Sequence, residues 1–222
     1  MQHLDVTVVS QAISWLQQQP VWLCTVLSTY GSSPRSPGAL MAATRDGRYS
    51  GSLSGGCVEE DFLRRVAAGE YQAASQVIRY GEGGMTPNVA LPCGGVLDVL
   101  IEYLPASEAS IAYLRRIAGA LEGHHALIKR LTLPNACHSL EQSHFTSATQ
   151  VERRLEQITL HIAAAPRLLI AGLSSVALYC ADFAVALGFE VLVCENRPEA
   201  LDNFAAELKP GVTLLRQFPA KF

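Results

Sequence analysis

The sequence predicts an α/β protein: a mixed α/β N-terminal domain followed by a short domain with a parallel βαβ pattern. Three observations carry this expectation. Residues 21–29 are apolar almost without interruption, as in a strand covered on both faces. Residues 40–43 and 48–53 flank Asp46-Gly47, a dipeptide that favours a tight hairpin turn. From Arg167 the chain runs strand, Gly172, apolar helix, Gly188 and a second strand at 191–194, the order of a parallel βαβ unit.

Taken in order, Val8, Ala12, Trp15 and Leu16 mark one face of a first helix that ends before Pro20. The strand at 21–29 follows. Pro34 and Pro37 then fix the path of a polar loop from Gly31 to Gly38 and hold Arg35 between them, as a fork for a phosphate or carboxylate or as a solvated loop arginine. After the hairpin comes Ser54-Gly55-Gly56-Cys57, and Val58, Phe62 and Val66 recur at helical spacing until Gly69. Unpaired amides at that helix start, approached through glycines, form a seat for an anion or a thiolate.

Cys57 lies in this first turn, where the helix end lowers a thiol pKa and favours a thiolate or soft-metal ligand. Glu59, Glu60 and Asp61 sit in the same turn, answer the dipole themselves and disfavour a second negative charge. A functional thiol and a small buried hydrophobe are both compatible with this position. A strand at 75–79 leads into a long loop with Gly81, Gly83, Gly84, Pro87 and Pro92, then Cys93-Gly94-Gly95 and a strand at 96–104. Gly-Gly-Cys before a helix and Cys-Gly-Gly before a strand mirror one another, and both can bring amides and sulfur to a pocket if they meet.

Ser107 caps a helix on Ile111, Leu114, Ile117, Ala118 and Leu121, stopped at Gly123. His124, His125, His138 and His144, with Cys137, invite a metal-site reading, but adjacent histidines on a strand point to opposite faces. A polar hairpin leading to a helix on Val151, Leu155, Ile158 and Ile162 is the expectation, closed by Pro166 at a domain boundary. The predicted organisation is 1–105, an N-terminal domain; 106–165, a helical and hairpin connector; and 166–222, a partial Rossmann-like domain. In the last, Val176, Cys180, Phe183, Ala184 and Leu187 set the helical spacing, Pro198 and Leu201 open another helix, and 212–215 form a third strand.

The turn Gly172-Leu-Ser174-Ser175-Val-Ala177 departs from the glycine fingerprint, since Ser174 puts a side chain where a pyrophosphate approaches the backbone. Glu195 follows at about the ~20-residue spacing of a ribose-binding acid. A bound NAD(P) is therefore not expected; Gly172, Ser174, Ser175 and Glu195 are read as a turn for another nucleotide or a pterin part, or as purely structural. So short a parallel sheet exposes an edge and an apolar face, which predicts a homodimer through the C-terminal units; a shortened form of a longer protein is the alternative.

With 222 residues, 49% hydrophobic and only 17% charged, the chain is globular rather than disordered. A net charge of −3 gives no basic field for nucleic acid or an acidic membrane surface. No stretch approaches the ~20 apolar residues of a membrane span, and the start lacks a basic segment followed by an apolar run. The expectation is a cytoplasmic protein, with its six scattered cysteines (Cys24, Cys57, Cys93, Cys137, Cys180, Cys194) reduced. No Ser/His/Asp or paired-carboxylate arrangement for catalysis is evident.

Gly31-Ser-Ser-Pro-Arg35, Pro37-Gly38, Gly51-Ser-Leu-Ser-Gly-Gly-Cys-Val-Glu59, and Cys93-Gly-Gly95 before a strand ending in Glu102-Tyr-Leu104 together resemble the XdhC/CoxI family. The likeness resumes at Arg167-Leu-Leu-Ile-Ala-Gly172 and at Gly188-Phe-Glu-Val-Leu-Val-Cys-Glu-Asn-Arg-Pro198, and is thin at 106–165. The turn at Gly172 also departs from the family, which resembles a full glycine-rich turn followed by a histidine where Ser175 stands. Family members are maturation factors of molybdenum hydroxylases such as xanthine dehydrogenase. The resemblance implies a chaperone rather than an enzyme. Such a chaperone binds molybdenum cofactor as cargo, protects it, supports its sulfuration by a cysteine desulfurase and inserts it into an apo molybdenum hydroxylase. Ser33, Arg35, Ser54, Gly55, Gly56, Cys57, Glu59, Cys93, Gly94 and Gly95 are the implied cargo contacts, with Cys57 or Cys93 as the molybdenum contact. An NAD(P)-dependent oxidoreductase and a cofactor-free interaction module are the alternatives.

Overall fold

The structure, a computed structural model, describes residues 2–30, 35–84, 95–143, 149–164, 167–187 and 189–218. The chain divides into two compact units, Gln2–Ala164 and Ala165–Phe222.

In the first unit, α1 (Gln2–Leu16) precedes β1 (Val21–Tyr30), β2 (Leu40–Ala43) and β3 (Tyr49–Gly51). Then follow α2 (Cys57–Ala68), β4 (Ser75–Tyr80) and β5 (Val96–Leu104). The five strands form one antiparallel sheet in the order β3-β2-β1-β5-β4. The apolar run of β1 reflects two covered faces. Val21 and Leu23 point into a core shared with α1 through Val8, Ala12, Trp15 and Leu16, while Trp22, Cys24 and Val26 face Val58, Phe62 and Val66 of α2. Alternation along the strand thus builds two hydrophobic layers from one sheet.

The unit continues with α3 (Glu108–Leu121), β6 (Ala126–Thr132), β7 (Ser139–Ser143), β8 (Gln150–Arg154) and β9 (Gln157–Ile162). Ser107 caps α3, its hydroxyl accepting from the Ser110 amide. The four strands form an antiparallel sheet in the order β7-β6-β9-β8, and Leu127, Leu131, Ile158, Leu160 and Ile162 join the core of α1, α3 and β1. Residues 106–164 are therefore no separate connector, because their inward faces complete the core of the first sheet.

The helix expected on Val151, Leu155, Ile158 and Ile162 is instead the β8–β9 hairpin. Ile158, Leu160 and Ile162 alternate inward at period two, while Leu155 occupies the turn at φ 55 and is 93% exposed. Apolar residues in adjoining strands and their turn reproduced a helical spacing by coincidence.

Lys129 holds an inward position on β6 between Leu127 and Leu131 and is 1% exposed. Its Nζ donates to Oε2 of the buried Glu102 on β5, whose Oε1 accepts from the Tyr113 hydroxyl of α3 at 2.8 Å. One ion pair thus ties both sheets to α3. A lone charge there would lack the water that stabilises it.

In the second unit, β10 (Arg167–Ala171), α4 (Ser175–Ala186), β11 (Glu190–Cys194), α5 (Pro198–Phe204) and β12 (Val212–Leu215) build a parallel sheet in the order β10-β11-β12. This is the strand order of half a Rossmann fold. The helix face differs from the one expected. Ala177, Ala181 and Ala184 are buried against the sheet, whereas Val176, Cys180, Phe183 and Leu187 are exposed, together with Tyr179. A helix apolar nearly all round gives periodicity no face to choose, and its small residues are the ones buried.

Replacing Lys129 by Met is expected to cost about 3–5 kcal/mol by stranding the Glu102 carboxylate. Adding Glu102→Gln to that variant should recover part of the loss. Urea unfolding followed by tryptophan fluorescence measures both.

Candidate functional site

Because neighbouring strands of the five-stranded sheet are antiparallel, β1, β3 and β4 end where β2 and β5 begin. The connections after Tyr30, Gly51 and Tyr80 therefore share one end of the sheet. The topology brings Arg35, the Ser54-Gly55-Gly56 turn and Gly95 to that end, a proximity that sequence spacing could not establish. Ser33, Cys93 and Gly94 lie outside the described residues. Cys57 opens α2, and its side chain lies outside the described atoms.

The turn before α2 is wound around Glu59. Its Oε1 accepts from the amides of Leu53 at 2.7 Å, Ser54 at 2.9 Å and Gly55 at 3.0 Å, and from the Ser52 hydroxyl at 2.6 Å. Its Oε2 accepts from the Gly56 amide at 2.8 Å and the Ser54 hydroxyl at 3.1 Å. Four amides that the sequence offered to an external anion are thus engaged by an internal one. Glycine is needed at 55, where φ is 93. Burial opposes ionisation of Glu59, but the Ser52 hydroxyl and the amides of Ser54, Gly55 and Gly56 outweigh it and lower the carboxyl from the usual 4.5 to about 2. The expected role of Gly55 and Gly56 as a free cradle is corrected accordingly: their amides stiffen the loop that presents position 57. Gly56 itself borders open space, with nothing within 4 Å of where a Cβ would stand.

Arg35 also departs from expectation. It is 6% exposed, and its Nη2 donates to Oδ1 of the buried Asp5 at 2.9 Å, an oxygen that also accepts from the Leu40 amide at 3.0 Å. The guanidinium therefore pins the loop before β2 to α1 instead of presenting a fork to an incoming anion. Its partner lay thirty residues upstream with no local spacing to announce it.

Gly95 packs closely on the turn after β4, since a Cβ at Gly81 would fall 2.2 Å from its carbonyl oxygen. Nearby on β5, Asp98 receives both arms of Arg79 at 2.7 and 2.8 Å and the Ser28 hydroxyl at 3.2 Å. Arg79 holds its carboxyl below the usual range. Asp98, Ser52 and Asp5 are site-supporting residues that sequence reasoning missed. Only Glu59 carried a readable signal, an acid three residues after the helix cap.

In the second unit, Gly172, Ser174, Ser175 and Glu195 do come together at the carboxyl ends of β10 and β11. Ser174 caps α4 by accepting from the Ala177 amide at 3.2 Å. Oε2 of Glu195 accepts from the Leu173 amide and Arg197 Nη2, both at 2.8 Å. Its Oε1 accepts from the amides of Asn196 and Arg197 and from Arg197 Nε. Both oxygens of the expected ribose-binding acid are therefore committed within the fold. Among the described residues no three metal-ligating side chains cluster, and Cys137 donates to the carbonyls of Arg130 and Ser139. His144 lies outside the described residues. No described helix is long and apolar enough to cross a membrane.

Residues 14–81 match the XdhC and CoxI family, which bears out the resemblance carried by Arg35 and by the segment from Gly51 to Glu59. The chain is 35% identical over 99 residues to the molybdenum cofactor insertion chaperone PaoD of Escherichia coli (strain K12), covering 43% of this chain and 30% of that protein. It is 26% identical over 203 residues to a probable xanthine dehydrogenase subunit of Bacillus subtilis (strain 168), covering 82% of this chain and 61% of that one. A crystal structure from Bacillus halodurans, described as a xanthine dehydrogenase, has the same fold with a TM-score of 0.61 at 22% identity, over 98% of this chain and 69% of that one. The chain thus spans less than two thirds of both curated relatives.

Glu59→Gln is expected to destabilise the first unit by about 1.5–3 kcal/mol, the range for hydrogen bonds to a charged group. Because the folded carboxyl titrates near 2 instead of 4.5, its contribution is complete above pH 4.5 and disappears as pH falls toward 2. Denaturant unfolding across that window should show the wild type losing stability more steeply than Glu59→Gln.

Proposed function

We propose that this XdhC and CoxI-like chain is a maturation chaperone that holds molybdenum cofactor as cargo and inserts it into a xanthine dehydrogenase-type molybdenum hydroxylase. The observation that carries the reading is the position of the family match. Residues 14–81 include the Glu59-wound turn and the start of α2 at Cys57. The names of the two curated relatives, one a cofactor insertion chaperone and the other a probable component of xanthine dehydrogenase, support the same cargo and recipient.

With the turn amides engaged by Glu59 and Arg35 paired to Asp5, cargo contacts fall to thiols and to the open loop surface. A thiolate is the soft donor type these loops carry, so Cys57 or Cys93 is the proposed metal contact. The turn's part is positional: a loop whose amides all converge on one carboxylate presents Cys57 at a fixed place. A cysteine desulfurase is the proposed sulfur-donating partner, and the protein is proposed to act as a cytoplasmic homodimer. An NAD(P)-dependent oxidoreductase is disfavoured by the committed oxygens of Glu195.

Anaerobic titration of the chain with molybdenum cofactor tests the reading. Saturable binding by the wild type, weakened about tenfold or more in Cys57→Ala or Cys93→Ala forms that keep the wild-type circular dichroism, is the expected result. Absence of binding by the wild type overturns it.

A further inference from the structure

At the opposite end of the five-stranded sheet lies a cavity of about 480 Å³, within the size range of small-molecule sites. It is lined by Gln19, Trp22, Arg45, Tyr71, Gln72 and Tyr103, with Pro20 and Gly69 completing the wall. These residues come from the start of β1, the β2–β3 turn, the segment after α2 and the end of β5. The twelve residues of α2 place this end about 18 Å from the turn at Cys57.

The wall is preformed. Trp22 is 6% exposed, its Nε1 donates to the Tyr71 carbonyl at 3.1 Å, and its ring meets that of Tyr103 at 5.3 Å with a 60° tilt. Tyr71 is in turn stacked on Phe62 at 5.4 Å. Trp22 and Tyr71 are themselves buried, so the flat apolar surface open to a ligand is that of the half-buried Tyr103, which their packing holds in place at little ordering cost.

Charge distinguishes this cavity from an ordinary surface dent. None of its lining residues is acidic, and the acids that follow Arg45 and Gly69 in the chain are satisfied: Asp46 receives Arg48 and Gln19, and Glu70 receives Arg65. Arg45, in the lining, makes no ion pair among the described residues. Gln19 donates its side-chain nitrogen to Asp46, and Gln72 donates its own to the Gly69 carbonyl. What remains for a ligand is a pair of carboxamide oxygens that accept, the half-buried Tyr103 ring that stacks, and a guanidinium that binds an anion.

We propose that this cavity is a second ligand site, for a planar heteroaromatic ring that carries ring N–H groups and an anionic substituent. The inference stands apart from the cargo reading, since it uses none of the residues near Cys57.

Pterin-6-carboxylate and guanosine monophosphate both have this chemistry and serve as probes, titrated against the full chain by calorimetry. Saturable binding of either, weakened about tenfold in Arg45→Gln, supports the site, and the tighter probe identifies the ring class. Unsubstituted pterin should bind wild type and Arg45→Gln alike, whereas Tyr103→Leu should weaken every probe that binds. Cys57→Ala should leave all of these affinities unchanged, which separates this site from the one at the other end of the sheet. Failure of both anionic probes to saturate, or equal affinities in wild type and Arg45→Gln, overturns the proposal. Arg45 is exposed and makes no ion pair among the described residues, so its replacement leaves the fold intact and the test holds even if Tyr103→Leu does not fold.

Discussion

The Glu59 carboxylate governs the architecture of the loop end of the first sheet. A chain entering a helix through two glycines has no stiffness of its own, and its unpaired amides would otherwise face water or an adventitious anion. Placing an acid one turn into the helix solves both problems at once. The amides from Leu53 to Gly56 converge on it, and the loop acquires a shape set by a single side chain. The second unit repeats the device at Glu195, where Leu173, Asn196 and Arg197 supply the amides. In both places a glycine turn that resembles an anion site in sequence carries its anion internally.

This substitution explains how much of the site could be read in advance. The glycines, the cysteine and the helix start are local features, and their positions on a loop before α2 follow from residue type and spacing. Whether an amide is free is not local. It depended on Glu59 folding back, which the residue order hinted at through its place after the cap; the availability of the Arg35 guanidinium depended likewise on Asp5, thirty residues away, which nothing nearby signalled. The fold was legible where periodicity was unambiguous, as in β1, α2 and the βαβ unit. It was misread in the β8–β9 hairpin, where Leu155 extended a false helical register into a turn, and on α4, where the burial of alanines left the larger apolar residues outside.

The antiparallel sheet also sorts the first unit into two chemically different ends. One gathers the Arg35 loop, the turn before Cys57 and Gly95, with Asp98 beneath them bound by Arg79. The other gathers Trp22, Tyr71 and Tyr103 around an arginine without an ion-pair partner among the described residues. The helix α2 runs between them, with Phe62 and Val66 buried against β1 and Tyr71 just beyond its end. The same hydrophobic layer therefore supports both ends, and a shift of this helix would be felt at each.

The buried pair of Lys129 and Glu102 has a consequence for how β6 finds its place. A strand whose inward positions were all apolar could slide by two residues along its neighbour and still bury the same face, because alternation is preserved. On β6 such a slip would bring Leu127 or Leu131 to the position of Lys129 and carry the ammonium away from its carboxylate, leaving two unpaired charges in a dry core. The pair acts as a pin that admits one register and penalises its nearest competitors, so specificity of alignment is written into the two residues that hydrophobicity alone would have excluded from the core.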